Sequence, residues 1–182
     1  DTESTNGSTD VMCFLNLFNE FYSRDTSKKV KAVKKACAED GKFMGTYPAY
    51  GYKRDPADKH HLVIDEETAL VVRRIFAMRC QGMGFRAIAV VLNEAGVQPP
   101  GVLYYRRKGQ SDPRNVNHQW ADTTVQVILR NEVYIGNMVQ GKHGTLSYKS
   151  RKLVTKPEDE WIRVEKTHEA IIPRDVWDTV VS

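Results

Sequence analysis

The chain has 182 residues, of which 41% are hydrophobic and 27% charged, and a net charge of +4, as expected of one globular domain or a domain with an appendage. No apolar run reaches the roughly 20 residues that a membrane span requires, and the opening DTESTNGSTD carries no secretory signal. Three widely separated cysteines, Cys13, Cys37 and Cys80, support neither a disulfide framework nor a zinc ribbon and fit a reducing, cytoplasmic setting.

The chain opens on Asp1 rather than Met, as expected of a piece of a longer protein. Asp10 is an N-cap candidate, and Phe14, Leu17, Phe18, Phe21 and Tyr22 then recur at helical spacing. Val30, Val33 and Cys37 resume the stripe, predicting one helix over 10–39 that stops at Gly41 and is about 45 Å long. Its first half is aromatic and suits protein contact. Its second half carries Lys28, Lys29, Lys31, Lys34 and Lys35, which suit a phosphate backbone.

GTYPAYGYKRDP follows as a stiff corner. Pro48 fixes one dihedral, Gly45 and Gly51 permit the bend, at least two of the tyrosines are expected on the core, and Lys53 and Arg54 are phosphate candidates. HHLVID predicts a short strand. Asp65 then caps a helix in which Ala69, Val72, Ile75, Phe76 and Arg79 are periodic, ended by Gly82. GFRAIAVVLNEAGV predicts a second core helix, with Ile88, Val91, Leu92 and Ala95 on one face and Gly96 past its end. Residues 97–121 read as a long basic loop holding Arg106, Arg107 and Lys108.

Asp122 or Thr123 opens a third helix. Val125, Ile128 and Leu129 face the core, and Thr124, Gln126, Val127 and Arg130 lie on or near the outer face. YIGNMVQ and EWIRVEK predict a hairpin joined by a flexible basic connection with Lys149, Arg151 and Lys152. IIPRDVWDTVV closes as a helix with Pro173 in its first turn. The class is α+β: a long N-terminal helix, then a mixed, mainly helical domain with a winged-helix-like helix-turn-helix and a small β-hairpin. The domain boundary is expected near residue 40, giving 1–40 and 41–182.

Charge is unevenly distributed. Segments 22–54, 100–119 and 130–156 carry +6, +3 and +5, whereas 1–21 and 157–182 carry −4 each. Such blocks are the electrostatic footprint of a nucleic-acid site or a solvated surface. The five histidines make no metal-ligand pattern, no serine lies in a nucleophile elbow, and no Gly-rich phosphate loop is present. No catalytic residue, metal or cofactor is therefore assigned. The helices at 86–95 and 123–131 form a helix-turn-helix pair in order, with Thr, Gln and Arg suited to base edges and phosphates. Residues 97–121 intervene between them, far more than the usual turn of three or four.

Six segments in order resemble the large serine recombinases, the site-specific integrases and transposases of mobile elements. They are FLNLFNEFYSRDTSKKVKAV, GKFMGTYPAYGYKRD, LVIDEETALVVRRIF, GFRAIAVVLNEAGV, WADTTVQVILRNEVYIGN and THEAIIPRDVWDTV. The resemblance covers residues 10–182. It implies that residues 1–40 are the end of the catalytic domain and its connecting helix, and 41–182 the DNA-binding recombinase domain. It implies strand exchange through a transient 5′-phosphoserine without ATP or metal, with the catalytic serine in a domain outside this chain, so that this chain alone is inactive. It also accounts for the long insert, which the family places between its two helix-turn-helix elements.

Double-stranded DNA is the implied partner, an attachment-site arm or transposon end. Backbone contacts are expected from Lys28, Lys29, Lys34 and Lys35, and major-groove contacts from Thr123, Thr124, Gln126 and Arg130. Lys53, Arg54, Arg106, Arg107, Lys108, Lys149, Arg151 and Lys152 are expected to add phosphate contacts. Self-association is expected through Phe14, Leu17, Phe18 and Phe21, and the corner is expected to set the angle between the long helix and the domain. The alternative is a non-enzymatic winged-helix regulator that dimerises through the same aromatic residues.

Overall fold

The structure is a computed structural model that describes residues 3–110, 119–145, 147, 150 and 152–181, with side chains from Val11 onward. In chain order it forms α1 (Glu3–Glu39), β1 (Tyr52–Arg54), β2 (Leu62–Ile64), α2 (Glu66–Cys80), α3 (Phe85–Glu94), α4 (Pro100–Arg107) and α5 (Asp122–Leu129). A 3-10 turn (Glu132–Ile135), β3 (Met138–Gln140), β4 (His143–Thr145), β5 (Leu153–Thr155), a second 3-10 turn (Glu158–Glu160), β6 (Ile162–Val164) and α6 (Arg174–Val181) follow. The described residues form the expected α+β arrangement of a long N-terminal helix and a mixed, mainly helical region with small hairpins. Among the described residues no helix is long and apolar enough to cross a membrane.

The chain divides into two compact units. One comprises the chain up to Met44 together with Val139–Arg163, the other Gly45–Met138 with Val164–Ser182. In the first, α1 spans 37 residues, about 55 Å. It runs straight through Asp10, so that residue is not its cap: a helix already formed on both sides leaves no free N–H groups there to receive a side chain. It ends as expected at Gly41, which has φ 71°. The Lys42 N–H donates to the Cys37 carbonyl and the Gly41 N–H to that of Ala38, each at 3.0 Å, the double closure of a glycine-stopped helix.

The connection expected to be flexible contains a second ribbon. β4 and β5 pair antiparallel, His143 opposite Thr155, Gly144 opposite Val154 and Thr145 opposite Leu153. At its base the Lys156 N–H donates to the Lys142 carbonyl at 2.9 Å, and the Lys142 ammonium lies 4.8 Å above the Trp161 ring. The Gln140 side chain fastens this ribbon to the exit of α1. Its Nε2 donates to the Lys42 carbonyl at 2.8 Å, and its Oε1 accepts the Met44 N–H at 3.1 Å.

The second unit is built on α2, which packs against α3, α5 and α6, while α3 packs on α5. Ala69, Val72, Ile75, Phe76, Ile88, Leu92, Val125, Ile128, Leu129 and Trp177 are all buried. Ala95 is exposed, and Ala89 takes its place in the buried face of α3. Tyr52–Arg54, expected as part of the corner, instead forms β1 and pairs antiparallel with β2, Tyr52 opposite Ile64. The expected hairpin forms as β3 beside β6, but Tyr134 and Ile135 belong to the 3-10 turn.

The corner is held by its tyrosines. The Tyr52 hydroxyl lies 2.8 Å from the Glu169 carbonyl and 3.1 Å from that of Val133, sharing its proton between them, and accepts the Ile171 N–H at 3.2 Å. The Tyr134 hydroxyl donates to the Tyr50 carbonyl at 2.9 Å, and the Tyr50 hydroxyl to that of Gln98 at 3.1 Å. Tyr52 and Tyr134 are buried, whereas Tyr47 is exposed. Gly51 sits between them at φ 98°, where a Cβ would come within 2.9 Å of Ile171 and 3.0 Å of Val72. Gly51→Ala therefore combines left-handed strain with overpacking. It should lower unfolding stability by about 2–4 kcal/mol in a denaturant titration.

His168 is buried beside Tyr52, with ring centroids 4.9 Å apart. Its Nε2 lies 2.8 Å from the Val133 carbonyl, to which the neutral ring donates. Burial lowers the imidazole below its ordinary 6.5, against the pull of that carbonyl and with help from the charge of His61. The unfolded chain therefore takes up this proton first as pH falls. The contribution of His168 to stability is full above the ordinary value and is lost as pH drops through it. Unfolding stability measured between about pH 7.5 and 5.5 should fall, and His168→Gln should flatten that dependence.

Candidate nucleic-acid interface

α5 presents a solvent face because its apolar positions are spent inward. Val125, Ile128 and Leu129 are at most 4% exposed, while Val127 is 65% exposed. Thr123, Gln126, Val127 and Arg130 follow at helical spacing along one side, with Thr124 half-buried on its flank. Among the described residues, the side chains of Gln126 and Arg130 make no hydrogen bond or ion pair, so their donors are free for a ligand. Ala121 precedes the helix and gives it no side-chain cap, and the Asp122 carboxylate accepts the Thr123 N–H at 2.8 Å.

The long insert between α3 and α5 leaves and returns at one point. The Trp120 N–H donates to Asn93 Oδ1 at 2.7 Å, and Asn93 Nδ2 donates to the Trp120 carbonyl at 3.1 Å. The Trp120 indole donates to the Val97 carbonyl at 2.9 Å. These bonds close the gap that a short turn closes elsewhere, so α3 and α5 stand as a helix-turn-helix pair despite the spacing.

Part of the insert, expected as loop, is the eight-residue helix α4. Pro100 can open it because the first helical N–H has no intrahelical partner. Arg107 docks this helix on the start of α2, 2.8 Å from Asp65 and 3.3 Å from Glu67. Asp65 flanks α2 as expected, but its carboxylate makes no cap bond. It accepts from Arg107 and, at 2.9 Å, from the Thr68 hydroxyl. Desolvation pushes this carboxyl up; the hydrogen bonds from Arg107 and Thr68 and the charges of Arg107 and Lys53 outweigh it and hold the group below its ordinary 3.8.

Arg106 donates to Gln98 Oε1 at 3.0 Å, and the Lys108 ammonium sits 4.7 Å from the Tyr104 ring centroid and 5.7 Å from that of Tyr47. Arg54 donates to the carbonyls of Gly45 at 2.7 Å and Thr46 at 3.1 Å, bracing the corner. Lys53 is exposed on β1. Lys53, Arg54, Arg107 and Lys108 border a pocket of about 580 Å³ between the corner and α4, and Arg106 lies outside its lining.

In the other unit Lys29 pairs with Asp25 at 2.8 Å and Lys35 with Glu39 at 3.7 Å. Lys34 and Lys35 line a cleft of about 810 Å³ that Lys31, on the same basic half of α1, and Lys156 share; sequence spacing did not nominate Lys156. Lys28 and Lys152 are exposed. Lys149 and Arg151 lie outside the described residues. Phe14, Leu17, Phe18 and Phe21 are each more than 60% exposed, an apolar face left uncovered by the described residues.

A family model described as Recombinase matches residues 66–182, and the chain belongs to that family, as its resemblance to the large serine recombinases implied. Two solved structures share the fold. One, described as "Sequence Requirements of the Listeria innocua prophage attP site", has a TM-score of 0.51 and 17% identity, over 84% of this chain and 49% of that one. The other, "Crystal Structure of a LSR-DNA Complex", has a TM-score of 0.52 and 17% identity, over 84% and 37%. This chain thus spans less than half the length of either.

Arg107→Gln would remove both ion pairs of α4 and leave Asp65 with one partner. A loss of about 1–2 kcal/mol in denaturant stability is expected, with faster hydrogen exchange in 100–107. Because the Asp65 carboxyl is held low, its contribution is present above its ordinary value and is lost as pH falls below it. The deficit of Arg107→Gln should therefore shrink in acid.

Proposed function

We propose that this chain is the arm-binding part of a serine recombinase, recognising a duplex attachment site during integration or excision of a mobile element. The observation that carries this reading is the outward face of α5, held as the second helix of a helix-turn-helix by the Asn93–Trp120 bracket. Thr123, Thr124, Gln126 and Arg130 enter the major groove, where Gln and Arg match adenine and guanine edges. Lys28, Lys29, Lys34, Lys35, Lys53, Arg106, Lys108, Lys149, Arg151 and Lys152 supply phosphate contacts, which position the protein without reading sequence. Arg54 and Arg107, already given to protein acceptors, act mainly by holding the corner and α4.

Catalytic strand exchange belongs to a serine domain elsewhere in the full protein, and this chain recognises DNA without cutting it. The uncovered aromatic side of α1 is the surface through which the full protein self-associates, in a bacterial cytoplasm and on its nucleoid. The solved relatives described with an attP site and with DNA support the same partner class here.

A gel shift tests the reading. The chain should prefer the element's own attachment-site arm to scrambled duplex at about 150 mM salt, and equal affinity would refute specific recognition. Arg130→Ala should relax sequence preference, with a cost of about 1–3 kcal/mol on the cognate arm. Lys34→Ala should weaken all sequences alike and reduce the salt slope by about one unit.

A further inference from the structure

The cleft of the first unit has cations on both walls. Lys31, Lys34 and Lys35 line it from α1, and Lys156 lines it from the base of the β4–β5 ribbon, with Gln140, Asp159 and Glu160 also on its surface. The walls cannot drift apart freely, because the Gln140 amide bonds the helix exit at both Lys42 and Met44. Lys31 and Lys34 have no ion-pair partner among the described residues. Lys35 and Lys156 hold only exposed pairs with Glu39 and Glu160, at 3.7 and 2.9 Å. Pairs of that kind contribute little and exchange readily for a phosphate.

We propose that this cleft is a two-sided clasp for one sugar-phosphate strand, gripped by the α1 lysines on one side and Lys156 on the other. Gln140 is its positioning residue, and Glu160 is an internal anion that competes with the strand for Lys156. This rests on the DNA-binding reading and deepens it: the ribbon and the long helix hold the same strand rather than separate parts of the DNA. The contact is with phosphate, so it carries no base preference.

The probe is therefore a random-sequence duplex, titrated across a salt series with variants that melt like the wild type. Lys34→Gln and Lys156→Gln should each reduce the steepness of log K against log salt by about 0.9. Glu160→Gln should have the opposite sign and bind the duplex several-fold tighter, which a purely structural Lys156–Glu160 pair would not produce. In a Gln140→Ala background, Lys156→Gln should cost less than it does in the wild type, because the ribbon is no longer held against the helix.

An unchanged slope for Lys156→Gln together with unchanged affinity for Glu160→Gln would overturn the clasp, even if Lys34→Gln weakened binding. If the slopes shift as expected but the arm is not preferred over random duplex, the clasp stands and specific arm recognition fails. No binding to either duplex would overturn both.

Discussion

The Tyr52 hydroxyl is the constraint on which the second unit depends. One oxygen joins three chain segments: the corner, the turn after α5 at Val133, and the segment 169–171 before α6. A buried phenol must find partners, and here the partners are backbone groups of two other segments. Gly51 lets the chain approach closely enough for this, since Ile171 and Val72 occupy the space a side chain would need. The position of α5 therefore follows from the corner as much as from its own packing on α3. Ionising Tyr52 is disfavoured by the same burial, which pushes its hydroxyl above the ordinary phenol range.

The insert between α3 and α5 obeys a related rule. A long excursion costs little in loop entropy when its ends are already fixed. Asn93, Val97 and Trp120 fix them through three hydrogen bonds, and α4 is then anchored separately by Arg107. Basic residues in one short run thus divide into different roles. Arg107 is neutralised by two carboxylates and serves as structure, whereas Lys108 rests on tyrosine rings with its charge still facing solvent. A count of positive charge along the chain does not separate these cases; the position of Asp65 and Glu67 does.

Periodicity made the helices legible. Val125, Ile128 and Leu129 face inward, and glycine stops such as Gly41, Gly82 and Gly96 mark helix ends as the sequence suggests. The failures have local causes. Asp10 looks like a cap, but capping preference cannot outweigh a helix that continues on both sides. α4 escapes the sequence pattern because Pro99 and Gly109 flank it and Pro100 and Gly101 stand in its first turn, while the Arg107 pairs that anchor it are a tertiary effect. The β4–β5 ribbon is short and partly exposed, so alternation has too few residues to register. Ala95 fits the helical repeat, yet it is the last residue before a glycine stop and falls beyond the packed face. At the candidate site, helical spacing showed which lysines share α1 but not that Lys156, more than a hundred residues later, lines the same cleft. The Gln140 bonds to the exit of α1 bring the two together.

The central claim is that the α5 face reads duplex DNA in its major groove. Dimethyl sulfate protection on the attachment-site arm tests it most directly, because the reagent reports guanine N7 in the major groove separately from adenine N3 in the minor groove. The account predicts protection of guanine N7 at the arm, lost at particular positions in Arg130→Ala. Protection confined to adenine N3, or guanine protection unaffected by that substitution, would contradict it.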